Sequence, residues 1–355
     1  MSTIAQNLQT IATAKANIAT SINNKGGRVT SSTPLSAYSA AIDAIPSGGG
    51  GGEPDWSEIG YSGAPQFILD GHAYAKNIYD NWDASATDLS GILSGTTQLR
   101  YMPLVDTSNA TDMNNMFNGC SNLAYIPLMD TSGVGNMSSM FNNCTSLTGV
   151  PQFNTSACTQ MNRMFNGCTG LTSVPLMDTS NVDNMDSMFA NCSGITTVPQ
   201  FNTSACTRME YMFQNCASLT SVPFLDTRNV SRFRYMFSVT PKLEKIGGLD
   251  FTSGTDFSTF IGNSNKTALR YALFKNLGTP SRMTSYDFTK ATNWGVADST
   301  YTDARQSLVD SLLTYSFDRA TAGYSTCTIK LSSNSKNLLT AQEISDIEAK
   351  GYTIA

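Results

Sequence analysis

The chain has 355 residues, 22 Lys and Arg against 27 Asp and Glu, and a formal net charge of −5. Only 14 % of it is charged, against about 25 % in an average globular protein, and so acidic and cation-poor a chain is a poor partner for nucleic acid or an anionic membrane. The single histidine, His72, excludes a His-rich metal site and any reaction needing two imidazoles, and no apolar run reaches the roughly 18 residues that cross a bilayer.

The start, Met1-Ser2-Thr3-Ile4, has no basic n-region and no apolar h-region, so no secretory leader is expected. Ile4, Leu8, Ile11, Lys15, Ile18 and Ile22 then follow one another by alternate steps of four and three. That is a heptad pattern, with Ile at d and Leu, Lys and Ile at a. It predicts either an oligomeric coiled coil, in which Leu at a with Ile at d disfavours dimers and favours a trimer, or an amphipathic helix packed on residues 34–45. Gly26-Gly27 ends the helix, and Pro34 to Ile45 reads as a second one with Leu35, Tyr38 and Ile42 on one face. Residues 1–46 are thus a helical anchoring and oligomerisation module, and 47–54 a glycine-rich flexible linker.

A repeat governs residues 55–265. Met-Phe pairs recur at 116, 140, 164, 188, 212 and 236, always 24 apart. Cysteine keeps that period from Cys120 to Cys216, proline from Pro103 to Pro223, and Leu or Ile from Leu99 to Leu243. Met113, Met116, Phe117 and Cys120 stand at i, i+3, i+4 and i+7, which predicts two helical turns. Leu123 to Leu128 reads as a brief strand limited by Pro127, and Asp130-Thr131-Ser132 as a capped turn. A unit this small cannot bury its own apolar face, so neighbours must stack. Six good coils between two degenerate ones, over about 80–265, give a sheet roughly 25 Å long at about 4.8 Å per strand. Pro151 to Cys158 returns almost unchanged as Pro199 to Cys206, a 48-residue super-repeat.

Residues 266–355 change rhythm. Ala304 to Tyr315 predicts a helix, Thr326 to Leu331 a strand, Thr340 with Glu343 a capping box opening another helix, and Tyr352 to Ile354 a short strand. This reads as a small α/β cap on the open end of the stack. The fold class is an α+β repeat solenoid of 24-residue strand/helix coils.

Eight cysteines without a Cys-x-x-Cys pair read as a buried ladder of small apolar thiols rather than as a zinc site or disulfides. Asp106, Asp130, Asp178, Asp226 and Asp250, with Asn154 and Asn202, form a column better suited to capping turns than to binding calcium. No phosphate loop, nucleophile elbow or dinucleotide fingerprint appears, so neither an enzyme nor a cofactor is expected. One surface patch stands out. The 24-residue stacking puts Arg208 over Arg232, Glu210 over Arg234 and Tyr211 over Tyr235, an arrangement of Tyr and Arg that suits an acidic glycan.

Met140-Phe-Asn-Asn-Cys-Thr-Ser-Leu-Thr-Gly-Val-Pro and Leu128-Met-Asp-Thr-Ser resemble the BspA-type leucine-rich-repeat surface proteins, in the variant common in Mycoplasma lipoproteins and gut bacteria. The resemblance implies a right-handed leucine-rich-repeat solenoid and a surface adhesin, and brings no catalytic residues. Residues 18–45, with Ile-Asn-Asn-Lys-Gly-Gly-Arg-Val and Tyr-Ser-Ala-Ala-Ile before a glycine-rich linker, resemble N-terminal modules of bacteriophage tail and fibre proteins. Together these give the expectation of a virion protein of a phage tail or tail fibre. Its N-terminal module would hold other virion proteins, and its solenoid would bind a bacterial surface glycan or protein. A bacterial surface adhesin and a tail-associated glycan hydrolase are the alternatives.

Overall fold

The computed structural model describes residues 77–355 other than 79, 258, 263–267 and 278–284. All of them belong to one compact unit, Gln66–Ala355. The heptad residues Ile4, Leu8, Ile11, Lys15, Ile18 and Ile22, the linker, the phage-like segment and His72 lie outside the described residues.

The repeat builds a solenoid, as its period requires. A column of parallel bridges climbs one residue per coil from Asp88 through Asp112, Asn136, Gln160, Asn184, Arg208 and Arg232 to Asp256. The backbone after each bridge is not the helix that the Met and Phe spacing predicts. Met116, Asn118 and Cys120 donate their N–H groups three residues back, to Met113, Asn115 and Phe117. Met113, Asn115, Phe117 and Gly119 instead donate to Asn136, Ser138, Met140 and Asn142 of the next coil, at 2.7–3.0 Å. An α-helix uses its interior N–H groups internally. Here alternate amides leave the coil, so the segment is a ribbon of overlapping β-turns. Such turns need left-handed residues, and each coil has two, four apart: Asn115 (φ +56°) and Gly119 (φ +78°), then Ser139 and Asn143, Arg163 and Gly167, and onward. The predicted buried face survives the change of element, since Met113, Met116, Phe117 and Cys120 are fully buried.

The expected strand in every coil is also corrected. Through the first coils the outer segment makes only isolated bridges, such as Tyr101 to Tyr125 and Thr197 to Ser221. The recurring proline has no N–H to donate to a ladder. A true parallel sheet forms only at the C-terminal coils, from β1 (Ser221–Phe224), β2 (Lys245–Asp250) and β3 (Tyr271–Lys275). In β2 the proline column holds Gly247, and a Cβ there would lie 2.6 Å from the Phe224 nitrogen. The longer strand therefore requires glycine.

Three ladders hold the coils together. Phe117, Phe141, Phe165, Phe189, Phe213 and Phe237 stack face to face at 5.5–5.9 Å with interplanar angles of 11° or less. Buried threonines donate forward, Thr107 Oγ1 to the Asp130 carbonyl (2.8 Å), Thr131 to Asn154 (2.7 Å), and so on to Thr227 with Asp250 (2.6 Å). Cysteine thiols donate backward, Cys144 Sγ to the Phe117 carbonyl (3.1 Å), Cys168 to Phe141 (3.0 Å) and Cys192 to Phe165 (2.9 Å). The thiols are thus buried and free, as a structural ladder rather than a disulfide array.

The C-terminal segment forms a second parallel sheet in the order β4 (Ser285–Phe288), β5 (Cys327–Leu331), β6 (Tyr352–Ile354). Helix α1 (Ala304–Val309) runs into a π-helical turn, Asp310–Thr314, and buries Leu308 and Leu312. After the short α2 (Ser333–Lys336), α3 (Ala341–Ala349) opens with the anticipated capping box: Glu343 N–H donates to Thr340 Oγ1 at 3.2 Å, and Thr340 N–H to Glu343 Oε2 at 2.7 Å. Arg305 ties α1 to α3 by donating to both Glu343 oxygens (2.9 and 2.8 Å). Phe251 stacks on Phe274, and Phe274 on Phe288 and edge-on to Trp294, so this segment covers the last coils.

Candidate functional site

The Tyr/Arg patch is assembled as stacking predicts. Arg208 and Arg232 are bridge partners, and the Tyr211 and Tyr235 rings lie parallel at 5.2 Å. Both tyrosines occupy left-handed turn positions, at φ +59° and +54°. Two of the three guanidinium groups are taken up by the chain's own carboxylates. Arg208 pairs with Asp186 at 2.7 Å and Arg234 with Asp256 at 3.4 Å. The Tyr211 hydroxyl beside Arg234, then Asp256, hold that guanidinium above its ordinary value. The surface is therefore a paired Tyr stack with mixed charge rather than a cationic patch. Arg232 is exposed.

A second surface, not anticipated from the sequence, lies just past the proline column. There Leu104, Leu128, Gln152, Leu176, Gln200 and Phe224 follow at intervals of 24. The apolar members are unusually open: Leu104 68 %, Leu128 61 %, Leu176 56 % and Phe224 40 % exposed. The Asp/Asn column runs beside them, two residues on. Between the columns lies a trough in two adjoining parts. One, of about 480 Å³, is bounded by Gln152, Asn154, Leu176, Asp178, Gln200 and Asn202. The other, of about 280 Å³, is bounded by Gln200, Asn202, Phe224 and Asp226.

The walls are held in place by main-chain bonds. Gln152 Nε2 donates to the Leu176 carbonyl and Gln200 Nε2 to the Phe224 carbonyl. Each Asp or Asn caps the turn that follows it, as the sequence suggests: Asp178 Oδ1 accepts from Ser180 N–H at 3.0 Å, and Asn202 Oδ1 from Ser204 N–H at 3.2 Å. The Ser180 amide holds the Asp178 carboxyl below the usual carboxylate range, and the Ser132 amide does the same for Asp130. Asp226 is lowered chiefly by Arg228, which chelates it at 3.0 and 2.8 Å. Among the described residues no group of three or more His, Cys, Asp or Glu side chains is arranged to hold a metal ion. The signal that marked this face was the alternation Leu-Gln-Leu-Gln-Phe with Asp-Asn-Asp-Asn-Asp, which becomes visible only when the coils are stacked.

The profile of a family described as Mycoplasma protein of unknown function, DUF285, matches residues 68–174 and again 172–272. Among solved structures the chain is similar to a leucine-rich-repeat protein of T. pallidum (18 % identity, TM-score 0.27, covering 45 % of this chain and 64 % of that one). It is also similar to a leucine-rich cell surface protein from Faecalibacterium prausnitzii A2-165 (14 % identity, TM-score 0.27, covering 54 % and 63 %). The chain thus covers less than two thirds of the length of either. No curated protein matches it. The two profile matches run from 68 to 272, more than half of the 355 residues, and the chain belongs to the DUF285 family of Mycoplasma proteins of unknown function.

Proposed function

We propose that this is a non-catalytic, adhesin-like binding protein that presents its solenoid on a surface and holds a cell-surface glycan or protein through many weak contacts along one face. The observation that carries this is the trough, an open, walled channel repeated along the stack instead of a closed pocket. The chemistry of the described side chains supports it. A glycan hydrolase needs a carboxyl held high enough to act as an acid. The two carboxyls that line the trough move the other way, Asp178 under hydrogen bonds from the Ser180 amide and hydroxyl and Asp226 under Arg228. Burial pushes the repeat thiols up, to about 11 for Cys120 and about 12 for Cys168, which makes them poor nucleophiles.

Display on a phage particle is the second reading. In it residues 1–46 join other virion proteins and the receptor is a bacterial surface glycan or protein. It is favoured by the resemblance of residues 18–45 to tail modules, about 30 residues against the roughly 200 of the repeat family. Neither reading uses a cofactor, nucleic acid or a membrane.

The test is binding of the labelled full chain to a panel of bacterial and host cells. Saturable binding confined to certain cells is expected. No saturable binding to any of them overturns the proposal. Recovery of the protein in purified phage particles rather than in cell envelopes selects the second reading. Arg232→Ala with Tyr235→Ala removes the open part of the Tyr/Arg patch and leaves cell binding within about twofold if the trough is the contact face; a tenfold loss moves the site to the patch.

A further inference from the structure

The trough has an internal period of two coils. Its apolar wall alternates Gln152, Leu176, Gln200, Phe224, and its polar wall alternates Asn154, Asp178, Asn202, Asp226. One cell of the pattern is an amide pair followed by an exposed apolar side chain beside a carboxylate. The cell occurs twice: the amide pair returns with residues 151–158 as 199–206, and an apolar residue with a carboxylate follows each time, Leu176 with Asp178 and Phe224 with Asp226. At about 4.8 Å per coil the two cells are offset by roughly 10 Å.

A wall that repeats fits a ligand that repeats. The chemistry of the cell says which kind. Leu176 and Phe224 offer an apolar surface to lie against, and Asp178, Asn154 and Asn202 offer hydrogen-bonding groups at its edge. The Asp178 carboxylate is held in its charged form by the Ser180 amide, while Asp226 is chelated by Arg228. Asp178 accepts hydrogen bonds from hydroxyl groups and repels anions. A sugar ring has an apolar C–H face and a hydroxyl rim, and a β-1,4-linked chain flips alternate rings, so its repeat is two rings. Building on the binding function above, we infer that the trough is a subsite array for a neutral linear polysaccharide, one two-ring unit for each pair of coils. This differs from the acidic glycan that the Tyr/Arg patch suggested. A proline-rich peptide has a similar repeat, about 9 Å per turn. Grooves that take such peptides are lined with aromatic rings, and here Phe224 is the only ring on the exposed column.

The chain supplies its own benign test variant. Gln already occupies the column of Leu176 at 152 and 200, and Asn that of Asp178 at 154 and 202, each with the turn cap intact. Leu176→Gln with Asp178→Asn therefore erases one cell while leaving a coil of the kind already present at 152–154 and 200–202. Calorimetric titration of the full chain would use cello-oligosaccharides of two, four and six rings, a galacturonate oligomer of six rings and a proline-rich peptide. The expected result is affinity for the neutral sugars that steps up about tenfold from two rings to four as the second cell fills. Galacturonate should bind at least about tenfold more weakly, and the double variant should lose the step at four rings. No binding of any neutral sugar, equal binding of galacturonate, a step that survives in the double variant, or binding of the peptide alone overturns the inference. Cell binding that persists in the double variant removes the trough and leaves the binding function standing. Sugar binding by a chain that binds no cell does the reverse.

Discussion

Val239 occupies a position that every earlier coil fills with Gly or Asn. The column reads Gly95, Gly119, Asn143, Gly167, Asn191, Asn215, Val239, and all seven have φ between +56° and +78°. For an L-residue the left-handed region costs about 1–2 kcal/mol, and a β-branched side chain sits at the upper end. Val239 recovers little in return, since 43 % of it is exposed. Val239→Asn removes much of that strain. It also extends a ladder, because Asn215 Nδ2 already donates to Asn191 Oδ1 at 2.7 Å and a new amide would stand one coil further on. An exposed hydrogen bond of this kind adds about 0.5 kcal/mol. The sum is a stabilisation of about 1–2 kcal/mol. Val239→Gly relieves the same strain but restores about 0.5–1 kcal/mol of unfolded-state freedom, so it gains less. The assay is urea unfolding followed by circular dichroism, with the midpoint rising at constant slope. Asn215→Val should fall by a similar amount. A neutral or destabilising Val239→Asn, or a larger gain from Val239→Gly, refutes the assignment of strain to this column.

The aromatic stack gives a second prediction. Phe165 is fully buried between Phe141 at 5.7 Å and Phe189 at 5.6 Å, so Phe165→Ala should destabilise the array by about 3–5 kcal/mol in urea titration. All eight cysteines are buried, and burial pushes Cys120 to about 11 and Cys216 to about 12. At pH 8 iodoacetamide should therefore leave the folded chain unmodified by mass spectrometry and label it fully in urea; stoichiometric labelling without denaturant contradicts the burial. Asp106, Asp130 and Asp178 have folded values held below 3.8 by the amide and hydroxyl of the serine two residues on. Their contribution to stability is present above the unfolded value and disappears as pH falls through the lower folded one. Melting temperature should thus drop below about pH 4, and less steeply in Asp178→Asn, whose cap does not titrate.

The periodic residues told a great deal because period is what stacking enforces. The Met, Phe, Cys and Leu columns identified in the sequence are the core residues of the structure. The backbone between them differs from the helix that their spacing predicts. Four apolar residues at i, i+3, i+4 and i+7 face inward from a helix, and also from a ribbon of β-turns. The distinguishing sign was present: Gly or Asn immediately precedes Cys120, Cys144, Cys168, Cys192 and Cys216, where a helix has no need of a left-handed residue. The strands were overestimated because the effect of Pro103, Pro127 and the rest on a ladder is repeated in every coil. The threonine hydroxyl ladder is not legible in the sequence because its acceptors are main-chain carbonyls, which leave no trace in side-chain identity. The Tyr211 and Tyr235 stack was legible from the 24-residue offset. The ion pairs of Arg208 and Arg234 were not, since Asp186 and Asp256 are 22 residues away in sequence and meet them only across coils.

The identity of the segments beginning at Pro151 and Pro199 has a further consequence. Removing residues 151–198 would join Val150 to Pro199 and return every column to its place: phenylalanine on phenylalanine, threonine under carbonyl, glutamine beside leucine. Inserting another such block would do the same. Recombination between the two copies therefore changes the reach of this molecule in fixed increments, each adding or deleting one complete cell of the trough. The array can be made longer or shorter with every core column kept in register, the changes falling on surface pairs such as Arg208 with Asp186.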